Sequence, residues 1–273
     1  MGIFDGILIC TDLDGTLLRA DKSVSEENLN AIEHFKSEGG VFTFITGRMP
    51  FFSASIGKAI GANAPFGCIN GGGLYDGEAQ AYLWTRELER EALELVEDAD
   101  RAIAGLGIQI NTFDKIYFSR ENNTMKNFRA RTGVADLVLD HNLVTEPIAK
   151  VVFGDDSDEK ILQLQNFLLS HPKAHKFSFI HSERTLFEIL PKGSDKGAVL
   201  PILTKHLGLS MQKTIAVGDY HNDIAMLQAA GLGIAVANAQ PEVKAAADHI
   251  TVSNEEHAIA RIISDLETGA LCV

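Results

Sequence analysis

The sequence of 273 residues lacks the features that mark membrane, secreted and disulfide-stabilised proteins. No uninterrupted apolar stretch approaches the ~18 residues that cross a bilayer, and the amino terminus has no basic segment of the kind that opens a secretory signal. The 3 cysteines are widely spaced and form no C-x-x-C pair, which disfavours a zinc site and indicates buried thiols. We therefore expect a cytoplasmic protein without a membrane partner.

Positive charge is also scarce, because 24 Lys and Arg stand against 37 Asp and Glu and give a formal net charge of −13. Such a chain repels a phosphate backbone, so we expect no nucleic-acid partner. Any site that handles phosphate must supply its own cations against the surrounding field. The hydrophobic fraction of 45% is typical of a globular protein, and the length allows one large domain or two unequal ones.

Short apolar segments alternate with helical patterns at both ends of the chain, which is typical of an α/β fold with a parallel sheet. In the middle, helical spacing and strand-like alternation form a separate α+β pattern. We therefore predict a discontinuous domain of residues 1–83 and 191–273, interrupted by an α+β domain at residues 84–190. The strands predicted for the first domain lie at residues 6–10, 41–46, 66–70, 214–217, 233–236 and 249–252.

Four groups of polar residues follow predicted strand ends or open predicted helices, where α/β sheets place their binding sites. Two of them contain closely spaced carboxylates, one contains a lysine at a helix start, and one contains a hydroxyl and a glycine at a strand end. The groups are Asp12 to Thr16, Thr46 to Arg48, Ser194 to Gly197 and Gly218 to Asp223.

Brought together, these groups would set the carboxylates of Asp12, Asp14, Asp219 and Asp223 against the single ammonium of Lys196. Two like charges ~4 Å apart repel by about 4 kcal/mol at an effective dielectric constant of ~20, so the group would repel a phosphate dianion. A divalent cation would offset this repulsion. Oxygen ligands without cysteine or clustered histidine favour magnesium over zinc, so we predict Mg²⁺ on these carboxylates.

The two acids of the first group suit a phosphoryl-transfer mechanism. Asp12, kept ionised beside the metal, would attack phosphorus, and Asp14 would be the acid/base that protonates the leaving alkoxide. A D-x-D pair taken alone also occurs in surface turns, where aspartate forms local hydrogen bonds. The preceding apolar strand and the later Gly218 to Asp223 group favour the catalytic interpretation.

Four further residues are candidate ligands of the phosphate oxygens: the Thr46 hydroxyl, the Gly47 amide, the Lys196 ammonium and the Asn222 amide. Each has an alternative interpretation. Thr46 and Asn222 can cap the helices that follow them, and Lys196 can be a solvated residue at an exposed helix start. The glycines at 71–73 can form a hairpin turn or part of a substrate loop.

In this order, the motifs resemble those of the haloacid dehalogenase superfamily, and the whole chain is similar to its Cof-type sugar-phosphatase branch. Glu256-His257-Ala258 departs from the usual acid-glycine-valine, and Pro201 is expected to kink the helix that begins near Lys196. The matching segments are Asp12-Leu-Asp-Gly-Thr-Leu-Leu, Phe44-Ile-Thr-Gly-Arg48, Asn70-Gly-Gly72, Lys196-Gly197, Gly218-Asp-Tyr-His-Asn-Asp223, the stretch from Asn238-Ala239 to Lys244, and Ala247-Asp248.

The resemblance implies a Rossmann-like parallel-sheet core with an inserted α+β cap domain that is mobile. It implies that Asp12 is the nucleophile and Asp14 the acid/base. It also implies that magnesium binds Asp12, the Asp14 carbonyl and Asp219, and that Asp223 orients the waters of the metal.

The expected activity is Mg²⁺-dependent hydrolysis of small phosphomonoesters, such as sugar phosphates, through an aspartyl-phosphate intermediate. Two alternatives stay open: a phosphosugar mutase or phosphotransferase that uses the same intermediate, and a non-catalytic sensor of phosphorylated metabolites. The sequence selects no substrate and no oligomeric state. Arg120, Lys126 and Arg129 of the inserted domain are candidate substrate ligands by charge alone.

Overall fold

The computed structural model describes residues 2–273, which form two compact units. The core unit runs from the start of the described chain to Thr85 and resumes at Asp195–Val273, whereas the inserted unit is Arg86–Ser194. No helix among the described residues is long and apolar enough to cross a bilayer. The α/β class with an inserted α+β unit confirms the predicted fold class.

Helices and strands alternate in both units, and their order differs between them. Before the insertion, the core unit contains β1 (Leu8–Thr11), α1 (Glu26–Ser37), β2 (Val41–Phe44), α2 (Pro50–Ala59), β3 (Phe66–Cys68), β4 (Gly73–Asp76) and β5 (Ala81–Thr85). The inserted unit contains α3 (Ala92–Ala102), β6 (Gly107–Thr112), β7 (Ile116–Arg120), α4 (Asn123–Thr132), β8 (Ile148–Gly154), α5 (Asp158–Ser170), β9 (Phe177–Glu183) and β10 (Leu186–Pro191). The core unit then continues with α6 (Lys196–Leu207), β11 (Thr214–Gly218), α7 (Ile224–Ala229), β12 (Leu232–Ala235), α8 (Pro241–Ala246), β13 (His249–Ile250) and α9 (Ala258–Glu267).

The core unit is built on a parallel sheet with the strand order β13-β12-β11-β1-β2. All four residues of β1 are buried, as expected for a strand covered on both faces. The chain adds β2 on one side of β1 and β11 on the other, so the strand order reverses at β1. The crevice at the carboxyl ends of the strands beside such a reversal is where open α/β sheets bind ligands.

Helix α6 begins and ends with local capping. The Asp195 side chain accepts a hydrogen bond from the backbone N–H of Ala198 at 2.8 Å, and Gly208 ends the helix in the left-handed region with φ 69°. Helix α6 continues past Pro201 to Leu207, so the proline does not end the helix, and the expected kink stays a prediction. The proline lies on the exposed side of the helix, where its ring displaces no packed neighbour.

The third predicted strand differs from the prediction. The sequence predicts a strand at residues 66–70 in the parallel sheet, whereas β3 ends at Cys68 and pairs antiparallel with β4 in a small sheet of order β3-β4-β5. A single bridge between Ile45 and Gly67 links it to β2. Ile69 and Asn70 then adopt φ values of 57° and 49°. Positive φ is rare for a β-branched residue, so the backbone is strained at Ile69.

The inserted unit has an antiparallel sheet of order β7-β6-β8-β10-β9. One face packs in a continuous hydrophobic cluster with residues of α3 and α5, and this face includes Ile108, Ile110, Val151 and Phe153. Because side chains alternate along a strand, the residues between these positions point to the opposite face. This second face carries the buried polar side chains of Gln109, Asn111, Lys150 and Glu188.

Two of the cations proposed as substrate ligands are engaged within the inserted unit. Arg120 contacts Asp100 at 2.8 Å and Asp140 at 3.0 Å, and Arg129 contacts Glu121 at 2.6 Å. These ion pairs give both arginines a role in holding their own loops and helices. The role of Arg120, Lys126 and Arg129 as substrate ligands stays a prediction.

Helix packing in the core unit should depend on Gly197. A Cβ at this position would lie 2.4 Å from the backbone oxygen of Ala225 in α7, a contact that no side-chain rotation relieves. We expect Gly197→Ala to destabilise the protein by about 1–3 kcal/mol despite a helix-propensity gain of up to ~1 kcal/mol. Urea unfolding measures the change. In the control Gly77→Ala, the nearest atom would lie at 3.6 Å, so equal effects of the two substitutions would contradict the packing argument.

Candidate active site

The acidic residues predicted from the first and last motifs meet at the carboxyl edge of the parallel sheet. Asp12 directly follows β1, and its backbone N–H donates to the Val217 carbonyl of β11 at 2.8 Å. Asp219 directly follows β11. One carboxylate oxygen each from Asp12, Asp219 and Asp223 lies within 4.8 Å of the other two. We call these three residues the carboxylate group.

Lys196 neutralises part of this group from the first turn of α6. Its Nζ donates to Asp12 Oδ1 and to Asp223 Oδ1, both at 2.6 Å. The residue is 1% exposed, which excludes the interpretation of a solvated lysine. Burial alone would lower the pKa of Lys196, but the charges of Asp12 and Asp223 more than offset it and raise the pKa above its ordinary value. The ammonium is therefore a permanent cation of the site.

Asp223 holds the loop after β11 in place. Its Oδ2 accepts hydrogen bonds from the backbone N–H groups of Asp219 and Tyr220, both at 3.0 Å. With Oδ1 bonded to Lys196, both of its carboxylate oxygens have protein donors. This arrangement fixes the position of Asp219 relative to Asp12.

The Asp14 carboxylate does not join the carboxylate group. It accepts two hydrogen bonds from Arg48, Nε to Oδ2 at 2.7 Å and Nη2 to Oδ1 at 2.6 Å, and one from Lys22 Nζ at 2.8 Å. Burial raises the pKa of Asp14, but hydrogen bonding and charge from Arg48, then Lys22, outweigh burial and lower the pKa. The sequence analysis counted Lys196 as the single cation near the four carboxylates. It therefore missed Arg48 and Lys22, which neutralise Asp14.

The phosphate-ligand candidates from the second and fourth motifs converge on Asn70, which the sequence analysis did not assign. Asn222 Nδ2 donates to Asn70 Oδ1 at 3.1 Å. Gly47 approaches the same amide so closely that a Cβ there would lie 2.7 Å from Asn70 Oδ1. The strained backbone at Ile69 and Asn70 presents this side chain, and strain of that kind is concentrated at functional sites.

Neither Thr46 nor Asn222 caps the helix that follows it. Helix α2 begins at Pro50 with Met49 as its N-cap, and the Thr46 hydroxyl instead accepts from the backbone N–H of Arg48 at 3.2 Å. Helix α7 begins beyond Asn222, at Ile224. The capping alternative is therefore wrong for both residues, and their role as phosphate ligands remains a proposal.

Two asparagines near the carboxyl end brace the loop that carries Asp14, and the sequence analysis gave them no role. Asn238 Nδ2 donates to the Gly15 carbonyl at 2.7 Å, and its Oδ1 accepts from the Asn254 backbone N–H at 3.0 Å. Asn254 Nδ2 donates to the Leu18 carbonyl at 2.9 Å. Only the position of Asn238 in a segment similar to the family pattern could have indicated its importance.

The carboxylate group has the charge and the donors that a hard dication needs. Three carboxylates and the Lys196 ammonium leave two negative charges in a buried place. Burial, followed by the charge of Asp223, raises the pKa of Asp219 to about 6, and burial raises the pKa of Asp12 despite the opposing charge of Lys196. A divalent cation would neutralise this excess, and carboxylate oxygens are ligands that suit Mg²⁺.

The chain is similar to known hydrolases and phosphatases over most of its length. The family model of haloacid dehalogenase-like hydrolases matches residues 9–263. The chain is 30% identical to an HMP-PP phosphatase of Escherichia coli O81 (strain ED1a), covering 90% of this chain and 89% of that protein. It is 28% identical to the 5-amino-6-(5-phospho-D-ribitylamino)uracil phosphatase YcsE of Bacillus subtilis (strain 168), with 94% of each covered. A solved haloacid dehalogenase-like hydrolase from Bacteroides thetaiotaomicron superposes with a TM-score of 0.83 at 26% identity, covering 95% of this chain and 99% of that one.

The raised pKa of Asp219 predicts a pH dependence of stability in a buffer without divalent cations. Between the ordinary value of 3.8 and about 6, the folded state holds a proton that the unfolded state has released. The free energy of unfolding of the wild type, relative to Asp219→Asn, should therefore rise as the pH falls through 6. Urea unfolding with a chelator between about pH 4 and 7 measures the difference. A difference that is flat across this range would contradict the assigned burial.

Magnesium should stabilise the folded protein through the carboxylate group. We expect the melting temperature of the wild type to rise with MgCl₂, by the equivalent of about 2.7 kcal/mol at 100 times the dissociation constant. Asp219→Asn should reduce this gain sharply, whereas the exposed control Asp21→Asn should retain it. Equal shifts in wild type and Asp219→Asn, measured by differential scanning calorimetry, would show that the ion binds elsewhere.

Proposed function

The chain belongs to the haloacid dehalogenase-like hydrolase family, and from that premise we propose that it hydrolyses small phosphomonoesters such as sugar phosphates. The proposed reaction uses Mg²⁺ and passes through an aspartyl-phosphate on Asp12. The single observation that carries the proposal is the buried Lys196, bonded to Asp12 within the carboxylate group. The phosphatase names of the two similar proteins support the reaction class.

Asp12 is suited to the role of nucleophile because Lys196 opposes the effect of burial on its pKa and so favours its ionised form. In the first step, a carboxylate oxygen of Asp12 forms a bond to phosphorus as the bond from phosphorus to the leaving oxygen breaks. Bound Mg²⁺ would supply the charge that lets a phosphate dianion approach these carboxylates. Asp12, Asp219 and the Asp14 carbonyl would hold it, with Asp223 orienting its waters.

Asp14 is the proposed acid/base. It gives a proton to the departing alkoxide in the first step, and in the second step it takes a proton from the water that attacks the aspartyl-phosphate. That water releases inorganic phosphate and restores the Asp12 carboxylate. In the arrangement seen here, Arg48 and Lys22 favour the ionised form of Asp14, so proton uptake requires these contacts to loosen.

The remaining proposed ligands surround the transferred phosphoryl group. Lys196, Thr46, Gly47 and Asn222 carry donors that suit its non-bridging oxygens, on which charge must be stabilised in a loose transition state. Their clustering at the carboxyl edge of the parallel sheet supports this assignment. A phosphate site in a chain with a large negative net charge needs a local cation, and we assign this role to Lys196.

Asp12→Asn tests the proposal directly. With Mg²⁺ and p-nitrophenyl phosphate, we expect the rate of phosphate release to fall at least ~10³-fold, because an amide cannot form the covalent intermediate. Asp14→Asn should cost about 10²- to 10⁴-fold, and the exposed Asp21→Asn should be unaffected.

Phosphorus NMR with sugar phosphates distinguishes the alternatives. Free inorganic phosphate supports hydrolysis, and a rearranged sugar phosphate without inorganic phosphate supports intramolecular transfer. If the wild type converts no phosphorylated metabolite in the presence of Mg²⁺, the proposed activity is wrong and a sensor is the better explanation.

A further inference from the structure

Three successive residues adopt left-handed backbone conformations immediately after β3. Ile69, Asn70 and Gly71 have φ values of 57°, 49° and 85°. Only the last of them is a glycine, and this region is unfavourable for a β-branched residue such as Ile69. Such a backbone persists where the surrounding contacts hold it, so the contacts of this segment indicate its role. We call residues 69–71 the left-handed turn.

Backbone hydrogen bonds fasten the left-handed turn to the loop after β2. The Ile69 N–H donates to the Arg48 carbonyl at 3.0 Å, and the Asn70 N–H donates to the Thr46 carbonyl at 3.1 Å. These two bonds lie on either side of Gly47 in the sequence. The backbone that carries the Asn70 side chain is therefore held against a loop with two of the proposed phosphate ligands.

The Asn70 side chain is held as closely as its backbone. The residue is 0% exposed. A Cβ on Gly47 would lie 2.7 Å from Oδ1, 3.0 Å from Nδ2 and 3.1 Å from Cγ of Asn70. These distances leave no room for a side chain, so a glycine at position 47 is what allows the amide of Asn70 to take this place.

The end of the left-handed turn contacts the segment that begins α6. A Cβ on Gly71 would lie 1.8 Å from the backbone oxygen of Asp195, the N-cap of this helix. Lys196 follows directly. The turn is therefore fixed on two sides, by the loop after β2 and by the start of the helix that carries the buried ammonium.

This fixed amide orients Asn222, the proposed phosphate ligand of the loop after β11. Asn222 Nδ2 donates to Asn70 Oδ1 at 3.1 Å. An asparagine amide has a donor nitrogen on one side and an acceptor oxygen on the other, and an acceptor oxygen would repel a phosphate. The bond keeps the nitrogen of Asn222 on the side of Asn70. Because this nitrogen carries two N–H groups, the second one can donate to a phosphate oxygen.

We propose that Asn70 is a positioning residue that orients the Asn222 amide for binding the phosphoryl group. This inference rests on the proposed phosphatase activity. A left-handed backbone alone gives no reason for an amide at this position, because glycine adopts that conformation more readily than asparagine. The side chain matters for the reaction only through the group that it orients.

Asn70→Gly tests this role, because glycine retains the left-handed backbone and removes the amide. With Mg²⁺ and p-nitrophenyl phosphate, we expect kcat/KM to fall about 10-fold, the value of one hydrogen bond, with a rise in KM. A loss of folded protein would instead lower kcat and leave KM unchanged. The control Gln80→Gly changes another residue with positive φ, 52°, on an exposed turn and should alter neither constant.

A double-mutant cycle tests whether Asn70 acts through Asn222. Asn222→Ala should itself lower kcat/KM about 10-fold, and adding Asn70→Gly should lower it by no more than ~2-fold further. Independent roles would multiply to about 100-fold. An additive cycle, a fall in kcat alone, or wild-type constants for Asn70→Gly or for Asn222→Ala overturns the inference and leaves the phosphatase proposal intact.

Failure of the phosphatase proposal gives a different result, namely that the wild type releases phosphate from no phosphomonoester. Calorimetric titration with inorganic phosphate in the presence of Mg²⁺ then decides the inference. A dissociation constant about 10-fold higher in Asn70→Gly and in Asn222→Ala, with Gln80→Gly unchanged, supports the positioning role. Equal binding in wild type and either asparagine variant, or no binding to the wild type, overturns it.

Discussion

The buried ammonium of Lys196 between Asp12 and Asp223 is the interaction on which the arrangement of the site depends. It joins the end of β1, the loop after β11 and the first turn of α6, three segments that are distant in sequence. Removing one partner of a buried ion pair leaves a charge without compensation, which typically costs several kcal/mol. The positions of Asp12 and Asp223 are therefore coupled to the packing of α6. The close approach of Gly197 to α7 sets the position of α6, and with it the position of the Lys196 ammonium.

The core unit holds its acids in two electrostatic environments. Asp12 and Asp219 share a buried place with too little positive charge, so their pKa values are raised, whereas Arg48 and Lys22 lower the pKa of Asp14. Two carboxylates that are only two residues apart in the chain thus differ in their readiness to hold a proton. In the structure as it stands, the proposed nucleophile is the more basic of the two. The positive charge of a bound dication would lower the pKa of Asp12 and so favour the ionised form that the proposed role of nucleophile requires.

The sequence was sufficient to predict the parts of the site that follow from strand ends. Asp12 and Asp219 directly follow buried strands, and the carboxyl ends of parallel strands meet at one edge, so their proximity could be expected. The fold class followed from the βα alternation in the same way. The contact of Arg48 with Asp14 could not be derived, because it depends on side-chain directions in two loops. Asn70 belongs to a segment that matches the family pattern, but it received no role because the pattern at residues 66–70 predicts a regular strand, whereas the backbone turns away at Ile69 with positive φ.

The two units bury polar groups under different electrostatic constraints. In the core unit, three carboxylates and one ammonium leave a net charge that has to be balanced from outside, so its chemistry is bound to a cation and to phosphate. In the inserted unit, the charges of Lys150 and Glu188 balance each other. The Oδ1 of Asn111 is a neutral, buried acceptor without a hydrogen-bond partner among the described residues. The charge of the carboxylate group therefore has to be balanced from outside, whereas the ion pair of the inserted unit needs no further charge.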